Sequence, residues 1–166
     1  MSVVEIASKE IFTRVLAEKP GELVLDADSL VLGRLASIVA KLLSLGVKVH
    51  VVNVEKAVLT GDKKRVINGY KLLFNVKTHK NPYRHGIRRP RNPVTLFKRT
   101  VRNMLPKDPN QRLKMLKNVK AYIGLPPEFK DSVIVKAVDL SITTRKAFKY
   151  ITLAELAKAL GWNPRV

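Results

Sequence analysis

Residues 22–54 constrain the fold most tightly, because they read as strand, helix and strand in direct succession. Glu22 to Asp28 is a short apolar run ending in acids that serve to cap the next element. Ser29 then offers an N-cap, and Leu32, Leu35, Ile38, Val39, Leu42 and Leu43 recur at helical spacing until Gly46 supplies a C-terminal stop. Val47 to Val54 is β-branched with few polar breaks, the pattern of a strand covered on both faces. Two strands joined through a helix are parallel, with a right-handed crossover. The expected class is therefore α/β.

The remaining elements fall around this unit. Thr60-Gly61-Asp62 breaks the chain, and Lys63 to Phe74 predicts a helix with Val66, Ile67, Tyr70, Leu73 and Phe74 on one side. From Val76 to Pro93, four residues (Pro82, Gly86, Pro90 and Pro93) deny a regular helix or a central strand. A loop of that length usually carries function or orders on a partner. Asn92-Pro93 opens a helix with an apolar stripe of Val94, Phe97, Val101, Met104 and Leu105, and Lys98, Arg99 and Arg102 lie opposite. Pro106 ends it, Asn110 to Asn118 predicts another helix with Leu113 and Leu116 apolar, and Val119 to Ile123 the next strand. Ser132 to Leu140 reads as extended, and Thr152 with Glu155 forms a capping box opening a C-terminal helix that ends at Gly161. No internal repeat or convincing domain boundary is present, so residues 1–166 read as one domain. It comprises an N-terminal extension (1–21), an α/β core (22–124) with a basic loop (77–93), and a C-terminal extension (125–166).

Charge singles out the middle of this domain. Between Lys77 and Lys117 stand thirteen Lys or Arg residues against one acid, Asp108, a local charge of +12; the other 125 residues carry the remaining +7 of +19. Like charge gathered this way repels itself unless a polyanion of matching density supplies the counter-charge, so nucleic acid is the leading partner. An apolar content of 46% is ordinary for a folded chain despite a pI near 10.4. Lys41, Lys48 and Lys56 interrupt the apolar runs well before the roughly 18 residues a membrane span needs. The first ten residues lack a charged-then-apolar signal, giving the expectation of a cytoplasmic protein without a membrane partner. The absence of cysteine removes disulfides, thiol catalysis and Cys-ligated zinc.

Chemistry has few candidates. His50 lies within a strand, and no carboxylate is near His79 or His85 in sequence to orient a general base. Asp26 and Asp28 end a parallel strand, where α/β enzymes hold catalytic groups, but helix capping is the simpler account. Thr60-Gly61-Asp62-Lys63-Lys64 follows a strand without P-loop or dinucleotide-binding spacing, so it reads either as an ordinary turn or as a helix start at which Thr60, Lys63 and Lys64 touch an RNA phosphate. No metal, cofactor or small-molecule substrate is expected.

The basic segment is the stronger signal because its residues are sorted. Lys77, His79, Lys80, Tyr83, Arg84, His85, Arg88, Arg89 and Arg91 interleave rings, guanidinium planes and prolines, which suits the irregular surface of folded RNA. Lys98, Arg99 and Arg102 extend this surface onto the helix, and Lys107, Arg112, Lys114 and Lys117 continue it. Nothing in the chain has the stacking motif of an RRM, the clamp of a KH domain or zinc-finger spacing.

Four internal runs resemble, in order and spacing, the thirteenth large-subunit ribosomal protein family. They are Gly33-Arg34-Leu35-Ala36-Ser37, Val52 to Gly61 (Val-Asn-Val-Glu-Lys-Ala-Val-Leu-Thr-Gly), Arg99 to Pro106 (Arg-Thr-Val-Arg-Asn-Met-Leu-Pro) and Val119 to Gly124 (Val-Lys-Ala-Tyr-Ile-Gly). Thr144-Arg145-Lys146-Ala147-Phe148, Leu156-Ala157 and Gly161-Trp162 are similar to the longer archaeal and eukaryotic members, and only the first twenty or so residues lie outside the resemblance. It implies a three-layer α/β/α domain on a four-stranded, mainly parallel sheet, with a long basic loop and a C-terminal helical extension. It also implies a non-enzymatic structural protein of the large subunit that binds large-subunit rRNA directly, supports assembly and neighbours other ribosomal proteins. In that family the region matching Lys77 to Pro106 forms much of the RNA-facing surface. The chain departs from the family's pattern at Asn103, where Gly is common, and at Asp108-Pro109-Asn110-Gln111, a turn without its usual Gly. Rival readings of the same surface are a regulatory RNA or mRNA binder acting off the ribosome, and an RNA-modifying enzyme on a doubly wound sheet.

Overall fold

A computed structural model describes residues 2–18, 20–144 and 149–164. In chain order the first elements are β1 (Ser2–Ile6), α1 (Ser8–Glu18), β2 (Glu22–Asp26), α2 (Leu32–Ser44), β3 (Lys48–Val52), β4 (Val58–Thr60) and α3 (Lys63–Asn75). After them come α4 (Pro82–His85), α5 (Pro93–Met104), α6 (Pro109–Lys117), β5 (Val119–Ala121), β6 (Val133–Ala137), β7 (Tyr150–Thr152) and α7 (Leu153–Ala159). The main sheet is parallel in the order β1-β6-β2-β3-β5, and β4 pairs antiparallel with β7 beside it. The class is α/β, as the sequence implies, but the sheet has five strands rather than four. The added strand is β1, from the segment outside the family resemblance, which pairs with β6 along its whole length, Ser2 with Val133 through Ile6 with Ala137.

Strand order explains the layers. The chain steps through β1, β2, β3 and β5 in one direction across the sheet, so right-handed crossovers put the intervening helices on one face. That face carries the main core: Leu25, Val49, Val51, Val119 and Val135 pack with Ile11 and Val15 of α1, Leu35, Val39 and Leu42 of α2, and Phe97 and Val101 of α5. The return from β5 to β6 runs the other way and covers the opposite face. There Tyr122, Leu125 and Phe129, around a 3-10 turn at Pro127–Phe129, pack on Val24, Val52 and Ile134. The strand alternation of β3 thus sends Val49 and Val51 to one side and His50 and Val52 to the other. Both extensions are woven into this body: Asp139 accepts from the Ser8 backbone N–H at 2.9 Å and from its hydroxyl, pinning α1 to the turn after β6.

The carboxyl ends of the strands correct two capping expectations. Ser29 does not cap α2; it sits in the left-handed region (φ 61°), its hydroxyl turned to Asp28, and α2 begins after Val31 without a side-chain cap. Asp26 does not cap the helix either. Buried at the end of β2, it accepts from Asn53 Nδ2 at 2.9 Å and from the Asp28 N–H at 3.1 Å, holding Asn53 in a left-handed turn (φ 54°). Asp28 instead faces Lys136 at 3.8 Å. Both Glu55 carboxylate oxygens accept from the Gly124 N–H at 3.1 and 3.0 Å, so two of the family-like runs grip each other across the sheet end.

His50 is buried on the thin side of the sheet, stacked on Tyr122 (6.0 Å between centroids, 7° between planes) and tilted against Phe129. Its Nε2 lies 3.7 Å from Glu22. Burial holds the imidazole below its ordinary value of 6.5, against an opposing pull from Glu22, with Lys120 and Lys48 reinforcing the burial effect. A depressed His contributes stability that is complete above the unfolded value and lost as pH falls below it toward the folded value. Tm should therefore fall on acidification from pH 7.5 to 5.5, and fall less in His50→Phe; equal slopes for the two proteins would remove His50 from the acid response.

Candidate nucleic-acid interface

The cationic surface is assembled from three consecutive segments. α5 is amphipathic, burying Pro93, Leu96, Phe97, Val101 and, just past its end, Leu105. The buried stripe is displaced from the expected one: Leu96 replaces Val94, which is half-buried, and Met104, the last residue of the helix, is exposed. Asn92 caps its start by accepting from the Val94 N–H at 2.9 Å, with Pro93 in the first turn. The opposite side presents Lys98, Arg99 and Arg102.

The preceding loop holds one helical turn where its prolines and glycine predict none. Asn81 Oδ1 accepts from the N–H groups of Tyr83 (3.2 Å) and Arg84 (3.0 Å), Pro82 opens the turn, and the His85 N–H bonds the Asn81 carbonyl. Gly86 must come next, since a Cβ there would collide with the Pro82 carbonyl oxygen. Tyr83 is 100% exposed, and Lys77, His79, Lys80, Arg84, His85 and Arg88 are exposed around it. The Arg91 guanidinium lies 5.2 Å above the Phe74 ring, tying the loop's end to α3.

Arg88 and Arg89 of the loop meet Lys98, Arg99 and Arg102 of α5 around a cleft of about 450 Å³, floored by Pro90, Thr95 and Leu116. No acid lines it. The ion pairs among the described residues are Lys48–Glu22, His50–Glu22, Lys63–Glu155 and Lys136–Asp28, and none involves the thirteen cations from Lys77 to Lys117. Asp108, the single acid of the segment, is committed to capping α6, accepting from Asn110 and Gln111. Pro109 stands in that helix's first turn, so the turn is built without a glycine. Arg89 Nε is buried without a hydrogen-bond partner among the described residues. The positive potential is therefore uncompensated from within.

Not every candidate residue joins this cleft. Arg112 turns inward, its Nε donating to the Pro106 carbonyl at 2.8 Å, which braces the α5–α6 corner. Lys107, Lys114 and Lys117 are exposed nearby on and before α6. Thr60, Lys63 and Lys64 stand at the N-terminus of α3, a helix about 20 Å long by its residue count, with the basic loop beyond its other end. There Asp62 already supplies a carboxylate to the Arg65 N–H, and Lys63 pairs with Glu155 at 3.1 Å. The sequence gives no sign of the Lys63–Glu155 pairing because β4 and β7, which bring the two ends together, are only three residues each. Of the tail run similar to archaeal and eukaryotic members, residues 145–148 lie outside the described residues.

The fold is thus a parallel α/β body with its helices on one face and, beside them, a cationic cleft that no acid lines. The chain belongs to the ribosomal protein L13 family: that family's model matches residues 21–128. Among curated relatives, a large ribosomal subunit protein uL13 of Saccharolobus solfataricus is 51% identical over 140 residues, covering 84% of this chain and 93% of its own. That of Sulfolobus acidocaldarius is 50% identical over 138 residues (83% and 92%), and that of Methanocaldococcus jannaschii 40% over 138 residues (83% and 96%). No described helix is long and apolar enough to cross a membrane.

Proposed function

We propose that this chain is a non-enzymatic, structural constituent of the large ribosomal subunit that binds large-subunit rRNA directly and supports its assembly, among neighbouring ribosomal proteins in the cytoplasm. The observation that carries this reading is the surface of thirteen cations from Lys77 to Lys117 with no carboxylate partner among the described residues. Phosphates are the counter-charge it calls for, and Arg forks suit them bidentately. Membership of the ribosomal L13 family, whose curated relatives carry the name large ribosomal subunit protein, supports the same assignment. An RNA-modifying enzyme would need free acids at the strand ends, whereas Asp26 is consumed in holding Asn53 and Asp28 faces Lys136.

Filter binding of the full chain to large-subunit rRNA fragments across a salt series tests the reading. If about seven of the cations reach phosphates, log K should fall against log salt with a slope of about −5 to −6, at roughly 0.7 to 0.9 per phosphate. A slope near zero, or absence from the large subunit when native lysate is fractionated at physiological salt, would overturn it.

A further inference from the structure

Beside the cationic cleft lies a second, smaller hollow of about 290 Å³ whose chemistry differs. Its walls are Tyr70, Leu73 and Phe74 of α3 and Leu96 of α5, and its rim carries Arg99 and Asn103. Arg89, Pro90 and Arg99 line both spaces, so one wall of guanidinium and proline separates a pocket that holds two aromatic rings from a cleft lined by five cations. We propose that this pocket receives one unpaired nucleobase of the bound RNA while the adjoining phosphate sits in the cleft. The inference rests on the RNA-binding reading and adds to it a site for a base.

Three features support a base as the occupant. The volume is at the lower limit of small-ligand clefts, about 300 Å³, which suits a single planar ring system. The walls offer aromatic and aliphatic surfaces for stacking, and every base has a face that accepts them. The rim then supplies hydrogen-bonding groups. Asn103 is exposed and free to turn its carboxamide to a base edge, where Asn pairs with adenine through one donor and one acceptor. The Tyr70 phenol, neutral at physiological pH like any tyrosine and pushed further up by burial, also lines the pocket. An apolar protein side chain as occupant would gain nothing from the five cations next door, whereas a nucleotide satisfies both spaces at once.

Asn103→Leu is the discriminating variant, because Asn103 is exposed and carries no charge. In filter binding to the same rRNA fragments, its affinity should drop about tenfold with the salt slope unchanged, since a base contact releases no counterions. Wild-type affinity would overturn the base pocket and leave the phosphate surface standing; a drop with a shallower slope would overturn it too, by placing Asn103 on the phosphate path. A flat salt slope for the wild-type chain would instead sink the RNA-binding reading itself. As a measurement independent of the variant, NMR titration of the full chain with AMP should shift the Asn103 side-chain amide and the Tyr70 ring. Ribose 5-phosphate should shift only the groups around Arg88 and Arg102, and identical shifts from both probes would overturn the proposal.

Discussion

Phe97→Ala should lower the stability of the free protein by roughly 3–5 kcal/mol, the usual cost of deleting a fully buried aromatic side chain. Phe97 is 0% exposed in the core that α5 forms with α2 and the sheet, on the same helix whose other side carries Lys98, Arg99 and Arg102. Against a total of about 5–15 kcal/mol, that loss takes a large share of the folding free energy. For a chain of this size Tm should fall by about 10 °C. RNA affinity should fall as well, since the same helix that fills the core aims the cations. Thermal melting alongside filter binding measures both, and a Tm within two or three degrees of wild type would show that the core does not depend on this ring.

Replacing Arg88, Lys98 and Arg102 together with Ala should do the opposite, weakening RNA binding while sparing the fold. Each side chain lines the cleft and none pairs with a carboxylate among the described residues, so no folded-state attraction is lost. Removing three phosphate contacts should flatten the salt slope by about 2 to 3 units and lower affinity on the order of 100-fold near 0.15 M salt. Tm should stay level or rise, because three mutually repelling charges are gone. An unchanged slope would remove the cleft from RNA binding, and a lower Tm would show that these cations support the fold through contacts other than ion pairs.

Much of this architecture is legible in the sequence because burial and period coincide. Residues 22–54 announce strand, helix and strand since Val49 and Val51 on one face and Val52 on the other are all buried, leaving an unbroken β-branched run. The caps at Asn92 and Thr152 can be read because each side-chain oxygen meets an N–H two or three residues on, whereas the Asp108 cap shows only in the structure. Where reading fails, distant partners decide. β4 and β7 are too short for a period to show, and they exist because Val58 and Thr152 find each other across the chain. Ser29 looks like a cap by type, yet Asp26, Asn53 and Lys136 set the strand-end geometry around it. For the interface, the cationic composition of the segment is plain in the sequence. The convergence of Arg88 with Arg102 depends on how the loop folds back over α5, and the Arg112 contact on the α5–α6 corner at Pro106.

The position of β6 governs how this protein can be made. The last strand of the main sheet in chain order lies between β1 and β2, with Val24 and Leu25 on one side and Ser2 to Ile6 on the other. During synthesis β1 has no strand neighbour until residues 133–137 have left the ribosome's exit channel, so it waits, unpaired, for more than a hundred residues. Sheet closure is thus a late, long-range event whose rate is set by loop closure and not by local propensity. Among the described strand pairs, β1 waits through the longest stretch of chain for its partner.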